Sequence, residues 1–138
     1  MAQAKLSKKE ASHLNRCLTD LPYYASNHLW IVPKDDPIQK FKFNRAQRIV
    51  HDKLTQQKKE KGFVRAIVLK ARQEGISTMV AGRFFRNTTL RPYRKAMVLS
   101  HKDKSSESIF AIYERYHKNL DQSMDPGRQA NARGRYLE

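Results

Sequence analysis

The sequence predicts an α/β domain, a parallel sheet flanked by helices, on three observations. Two short apolar runs rich in β-branched residues, "FVRAIVLK" and "KAMVLSH", are each followed by a stretch of helical periodicity. A turn at Gly75 separates the first run from its helix. The resulting order of strand, loop, helix, strand, helix is that of βαβ units, whose crossovers set parallel strands side by side.

The elements follow in chain order. Residues 5–19 space Leu6, Ala11, Leu14 and Leu18 along one helical face, with Ser7 as N-cap. Residues 20–41 hold three prolines and mixed polarity and read as an ordered connector. Its Tyr23, Tyr24, Leu29, Trp30 and Ile31 are expected to cover the core rather than stack on bases. A second helix starts at Asn44, carries Ala46, Ile49, Val50, Lys53 and Leu54 on one stripe, and ends at Gly62. The first buried strand is expected over 63–70. A helix follows over 76–90, with Met79, Val80 and Phe84 inward and Phe85 a further candidate. Pro92 marks a turn and 95–101 the second buried strand. Residues 102–120 form an amphipathic helix with Ile109, Phe110, Tyr113, Tyr116 and Leu120 on its apolar face. The polar tail from Asp121 reads as loop.

Composition bounds the function. The 138 residues suit one domain, and with 39% hydrophobic residues there is material for one modest core. The longest apolar runs fall far short of a membrane span, and "MAQAKLSKKE" has no apolar signal segment. With one cysteine, Cys17, neither an internal disulfide nor a cysteine-based zinc site is expected, and together these features point to the cytosol. The net charge is +15, carried by 14 basic and 6 acidic residues in 1–69 and by 14 and 7 in 70–138. An excess so evenly spread is not a basic tail, and it favours a polyanionic partner such as nucleic acid.

The stretch "KARQEGIST", residues 70–78, carries the most chemistry. A phosphate-binding loop needs inward backbone N–H groups, a cation at the phosphates and a hydroxyl on Mg²⁺. The stretch leaves an expected strand and opens an expected helix, whose N-terminus favours an anion. Gly75 permits close backbone approach, and Ser77 stands where the Mg²⁺ hydroxyl belongs. The usual lysine after the second glycine is replaced by Ile76. Lys70, at the first loop position, would deliver its ammonium from the opposite side, and Arg72 adds a second cation suited to phosphate or to transition-state charge. On spacing alone, Lys70 and Arg72 also read as strand-end surface charges.

"LKARQEGIST" resembles the deviant Walker A loop of the large terminase subunits of tailed phages, the ATPases that pump DNA into procapsids. In that family the lysine can stand at the start of the loop, and an Arg-Gln pair commonly precedes the glycine. Lys70, Arg72, Gln73, Gly75 and Ser77 match those positions, with Ile76 and Thr78 beside them. "IQKFKFNRAQRIVHDKL" is similar to the family's adenine-binding segment, with Gln47 as the adenine reader. "KAMVLSHKDKSSESIFAIYERYHKNL" resembles the following strand and helix.

The resemblance covers about residues 41–120. It implies a partial P-loop NTPase domain of the ASCE type over 44–120, preceded by a helix and connector (1–43) and followed by a mobile loop or next strand (121–138). It also implies ATP and Mg²⁺ as cofactors, with double-stranded DNA, a small terminase subunit and a portal ring as partners in the cytoplasm of a bacterial host. Glu74 departs from the pattern by placing an anion in the loop. The family's Walker B strand, catalytic Glu and nuclease domain have no counterpart, so the chain is expected to be an N-terminal portion that binds nucleotide without sustained hydrolysis. An unpaired strand edge left that way invites self-association.

Arg83, Arg86, Arg91, Arg94 and Lys95 form a basic run readable as a DNA-backbone track or as solvated charge. The five histidines show neither H-x-x-x-H nor H-E-x-x-H spacing, so no histidine metal site is expected. Two rival readings remain: a non-enzymatic basic module that binds nucleic acid, and a fragment of a helicase-type ATPase.

Overall fold

The computed structural model describes residues 7–100 and 103–121. Five helices occur among them: α1 (Lys8–Thr19), α2 (Leu21–His28), α3 (Arg45–Lys61), α4 (Ile76–Thr89) and α5 (Asp103–Lys118). Two short strands, β1 (Trp30–Ile31) and β2 (Gln39–Lys40), pair antiparallel with Trp30 opposite Lys40 and Ile31 opposite Gln39.

Local hydrogen-bonding chemistry sets the helix ends. Ser7 and Glu10 form a reciprocal capping box at the start of α1, and Asn44 and Gln47 do the same for α3. Gly62 closes α3 in the left-handed conformation, φ 76°, which only glycine adopts without penalty. Helix α2 falls in the stretch expected to be a connector. Its start is explained by Asp20, whose carboxylate accepts from Tyr23 N at 2.9 Å, and by Pro22, which the first turn tolerates.

The expected α/β class is corrected. Among the described residues there is no parallel sheet, and the two-stranded ribbon β1–β2 is the sheet present. Residues 63–70, expected as a buried strand, form no strand and are exposed, with Ile67 and Leu69 fully open to solvent. Residues 95–99 of the second expected strand are also exposed, while His101 lies outside the described residues. The physical reason is non-local. β-branched composition favours extended backbone, but a strand forms only when a partner takes up its N–H and C=O groups. Among the described residues no backbone partner lies along either segment. Gln57 of α3 anchors the first: it donates to Arg65 O at 3.0 Å and accepts from Arg65 N at 2.7 Å.

The core gathers where the helices meet. Cys17, Leu21, Tyr24, Leu29, Phe41, Phe43, Ile76, Met79, Phe85 and Tyr116 are buried together, so the expected connector supplies much of it. Helix α4 packs against α2, α3 and α5. Phe85 is its buried phenylalanine, with Phe84 half-buried, and on α3 Ile49 faces out while Ala46 and Val50 face in. At the α4–α5 crossing Gly82 leaves room for Leu29, since a Cβ there would lie 2.9 Å from Leu29 Cδ1. Tyr116 of α5, fully buried, donates its hydroxyl to Thr78 O at 3.0 Å. Among the described residues no helix is long and apolar enough to cross a membrane.

Leu29 fills the space between α2 and α4, so Leu29→Ala is expected to cost about 2–5 kcal/mol of stability. Tyr116→Phe, which removes one hydrogen bond and little volume, is expected to cost about 1 kcal/mol. Urea unfolding followed by circular dichroism ranks the two, and an equal or reversed order contradicts the packing described.

Candidate functional site

The loop 71–75 runs into α4 through two residues with positive φ, Gln73 at 64° and Gly75 at 67°. A non-glycine residue held there stores strain of about 1–3 kcal/mol, so surrounding contacts must impose the shape of the loop. Those contacts come from the start of α3. Gln47 is 4% exposed, and its Nε2 donates to Gly75 O at 3.0 Å and, at the limit, to Glu74 O at 3.5 Å. Its Oε1 accepts from Asn44 N at 3.0 Å, while Asn44 Nδ2 donates to Glu74 O at 3.2 Å. A Cβ on Gly75 would stand 2.5 Å from Gln47 Nε2. Glycine is therefore required at 75 twice over, for its φ and for the room it leaves.

Gly75 is the N-cap of α4 and offers no side chain to the first-turn N–H groups. The helix start thus presents backbone donors and the positive end of the dipole, the ordinary recipe for holding an anion. Ser77 is exposed there, Thr78 is half-buried, and Ile76 is anchored in the core at 4% exposure. Lys70, Arg72 and Gln73 are all exposed, with Lys70 Nζ making only a long contact to Ala71 O at 3.5 Å. Beside the loop lies an open groove of about 270 Å³, lined by Ala46, Ile49 and Val50 of α3 and by Val68, Leu69, Lys70, Ala71, Glu74 and Ile76.

The structure brings the sequence-predicted residues Gln47, Gly75, Ile76, Ser77 and Thr78 together at one helix start, with Lys70, Arg72 and Gln73 in the loop leading to it. Gln47 is turned inward, its carboxamide engaged at both ends with backbone. It acts on the loop, not on the groove.

The basic run divides. Arg91, Arg94 and Lys95 are exposed, whereas Arg83 is half-buried and Arg86 is 8% exposed. Burial pulls the Arg86 guanidinium down to about 10, with Arg83 and Arg91 adding like-charge repulsion. Its buried Nη1 has no hydrogen-bond partner among the described residues, and neither has Nδ1 of His51. The five residues therefore do not line one exposed track.

A second cluster escaped the sequence reading. His13 Nε2 lies 3.0 Å from His28 Nε2 and 3.6 Å from Cys17 Sγ, and His13 Nδ1 lies 2.9 Å from the Tyr23 hydroxyl. A search for paired histidines passes over His13 and Cys17, four residues apart on α1. His28 arrives only through the α1–α2 turn. Burial, then His13 and Lys40, lower the His28 pKa, and burial raises the Cys17 thiol.

No protein-family model, curated protein or solved structure matches this chain.

Gly75→Ala strains the positive φ and pushes against Gln47 Nε2, and Gln47→Ala removes the bonds to Gly75, Glu74 and Asn44, at an expected cost of about 1–3 kcal/mol each. The double variant should lose less than the two losses added, because the clash of the added Cβ with Gln47 Nε2 vanishes once Gln47 is gone; additive losses in urea unfolding would remove Gln47 as the brace of the loop. His51 has its pKa lowered from 6.5, first by burial and then by Arg83. The fold favours its neutral form, so its contribution to stability is present above pH 6.5 and is lost as pH falls through the lower folded-state value. A stability-against-pH series should show this acid-side loss reduced in His51→Gln, and identical profiles would refute it.

Proposed function

We propose that residues 70–78 and the start of α4 form the phosphate-binding part of an ATP-dependent DNA-packaging motor of the large terminase type. The observation that carries this reading is the start of α4. It joins an uncapped helix N-terminus, a left-handed Gly75 and an exposed Ser77 hydroxyl to a loop bearing Lys70 and Arg72. In this reading the ligand is ATP with Mg²⁺. Backbone N–H groups from Gly75 to Thr78 and the two loop cations meet the phosphates, Ser77 meets the ion, and Arg72 is placed for charge developing on a transferred phosphoryl group. Gln47 contributes by fixing the loop, which leaves the base to the groove beside Ala46, Ile49 and Val50.

The parent motor would translocate double-stranded DNA with a small terminase subunit and a portal ring in a bacterial cytoplasm. The exposed Arg91, Arg94 and Lys95 suit contact with the DNA backbone. Their exposure also favours the second reading, a basic module that binds nucleic acid without nucleotide.

A titration of the full chain with a fluorescent ATP analogue and Mg²⁺ separates the two. The motor reading expects saturable binding that weakens at least tenfold in Lys70→Ala, with both proteins equally folded by circular dichroism. Equal binding by both proteins, or none by either, overturns it. In that case duplex DNA affinity falling steeply with added salt would support the basic module.

A further inference from the structure

We propose that His13, Cys17 and His28 form a binding site for a borderline-soft divalent ion of the zinc class, which clips α1 to α2. The three donor atoms all lie within 4.8 Å of one another. The set is built from two elements. His13 and Cys17 stand four residues apart on α1 and so share a face, and His28 is the last residue of α2.

Two of the three edges are close to those of a tetrahedral ion. With metal–nitrogen bonds of about 2.0 Å and metal–sulfur of about 2.3 Å, a tetrahedral site has N–N edges of about 3.3 Å and N–S edges of about 3.5 Å. The observed edges are 3.0 Å between the two Nε2 atoms and 3.6 Å from Cys17 Sγ to His13 Nε2. On these two edges an ion would need shifts of a few tenths of an ångström; on the third, from Cys17 Sγ to His28, which is at most 4.8 Å, it would need up to about 1.3 Å, within reach of side-chain torsions.

The surroundings orient the ligands. His13 Nδ1 is engaged by the Tyr23 hydroxyl at 2.9 Å; as donor to that oxygen it leaves Nε2 with the free lone pair a metal requires. The His28 ring is held between His13, 5.1 Å away between centroids, and Tyr24 at 5.3 Å. Cys17 is fully buried and His28 nearly so, while His13 is half-buried and supplies the side from which an ion enters. One thiolate with two imidazoles is a donor set for zinc over magnesium or calcium, which take oxygen ligands. Three protein ligands leave a fourth position for water or another donor. Binding requires the Cys17 proton to leave, so one proton is released to solvent per ion bound, and the nearby Arg86 cation helps hold the thiolate.

The alternative is a plain hydrogen-bonded trio, in which the two Nε2 atoms share a single proton. The test uses the full chain, stripped with chelator and kept reduced, titrated with Zn²⁺ against a chromophoric competitor and separately with Co²⁺. The expected result is one equivalent bound, with a cobalt spectrum showing tetrahedral d–d bands and a thiolate charge-transfer band. Zn²⁺ should also raise Tm. His13→Gln should weaken binding at least tenfold, and His51→Gln should leave it unchanged. Cys17→Ser should lose the charge-transfer band. Because Cys17 is fully buried, that variant can lose the fold, and the wild-type cobalt spectrum then decides alone. Absence of stoichiometric binding to the wild-type chain, a cobalt complex without the thiolate band, or full affinity in His13→Gln overturns the proposal.

Discussion

One buried carboxamide governs how the helices meet. Gln47 closes the N-terminus of α3 through Asn44 and, with its other end, holds the carbonyl of Gly75. Both partners are backbone groups, so the contact fixes the path of the chain and not merely a rotamer. From the opposite side Tyr116 of α5 grips Thr78 O in the first turn of α4. Helix α4 is thereby seated at its start by α3 and α5 together, and its apolar face then meets α2 and α5. If Gln47 were unpaired, a buried amide and a buried carbonyl would each face the cost of lost hydration.

What the sequence revealed and what it hid divide along the range of the interactions. Ser7 with Glu10, Asn44 with Gln47, and Gly62 are signals whose partners stand within a few residues, and the helix ends they mark stand in the structure. Asp20 followed by Pro22 is a signal of the same kind, hidden in a stretch whose three prolines suggested a connector. The two apolar runs carried only a propensity. Whether "FVRAIVLK" becomes a strand depends on what lies beside it, and no composition rule states that. The cluster of His13, Cys17 and His28 is half local, since the pair on α1 is visible at helical spacing and the third member needs the turn between two helices. The candidate loop was read by position. Its bracing by Gln47 was not, because nothing in the sequence says which way that carboxamide turns.

Charge and apolar surface are distributed against the usual order. Arg86 is buried with one nitrogen unpartnered, close to Arg83, while Ile67, Leu69, Met97 and Leu99 stand in solvent. Burying a cation with one nitrogen unpartnered is expensive, and the Asp20 carboxylate offsets only part of that cost; an exposed aliphatic run forgoes the stabilisation that burial brings. The exposed run lies on the segments flanking α4, whereas Arg86 lies on α4 itself, near Cys17 of α1 and Tyr24 of α2. Stability is therefore uneven across the molecule, concentrated where Leu21, Tyr24 and Leu29 meet α4 and thin along 63–70 and 94–99.

The ribbon of β1 and β2 gives the molecule an optical property of its own. Trp30 is the chain's one tryptophan, half-buried at the start of β1, with the Lys40 ammonium 4.0 Å from its ring centroid. Lys40 also donates to Asn27 O at the end of α2, so the charge over the indole stays only while ribbon and helix remain joined. Emission from Trp30 thus reports on a single junction, two residues beyond His28, without any label. Separation of β2 from α2 would register there as a change in colour and yield before the helices themselves unwound.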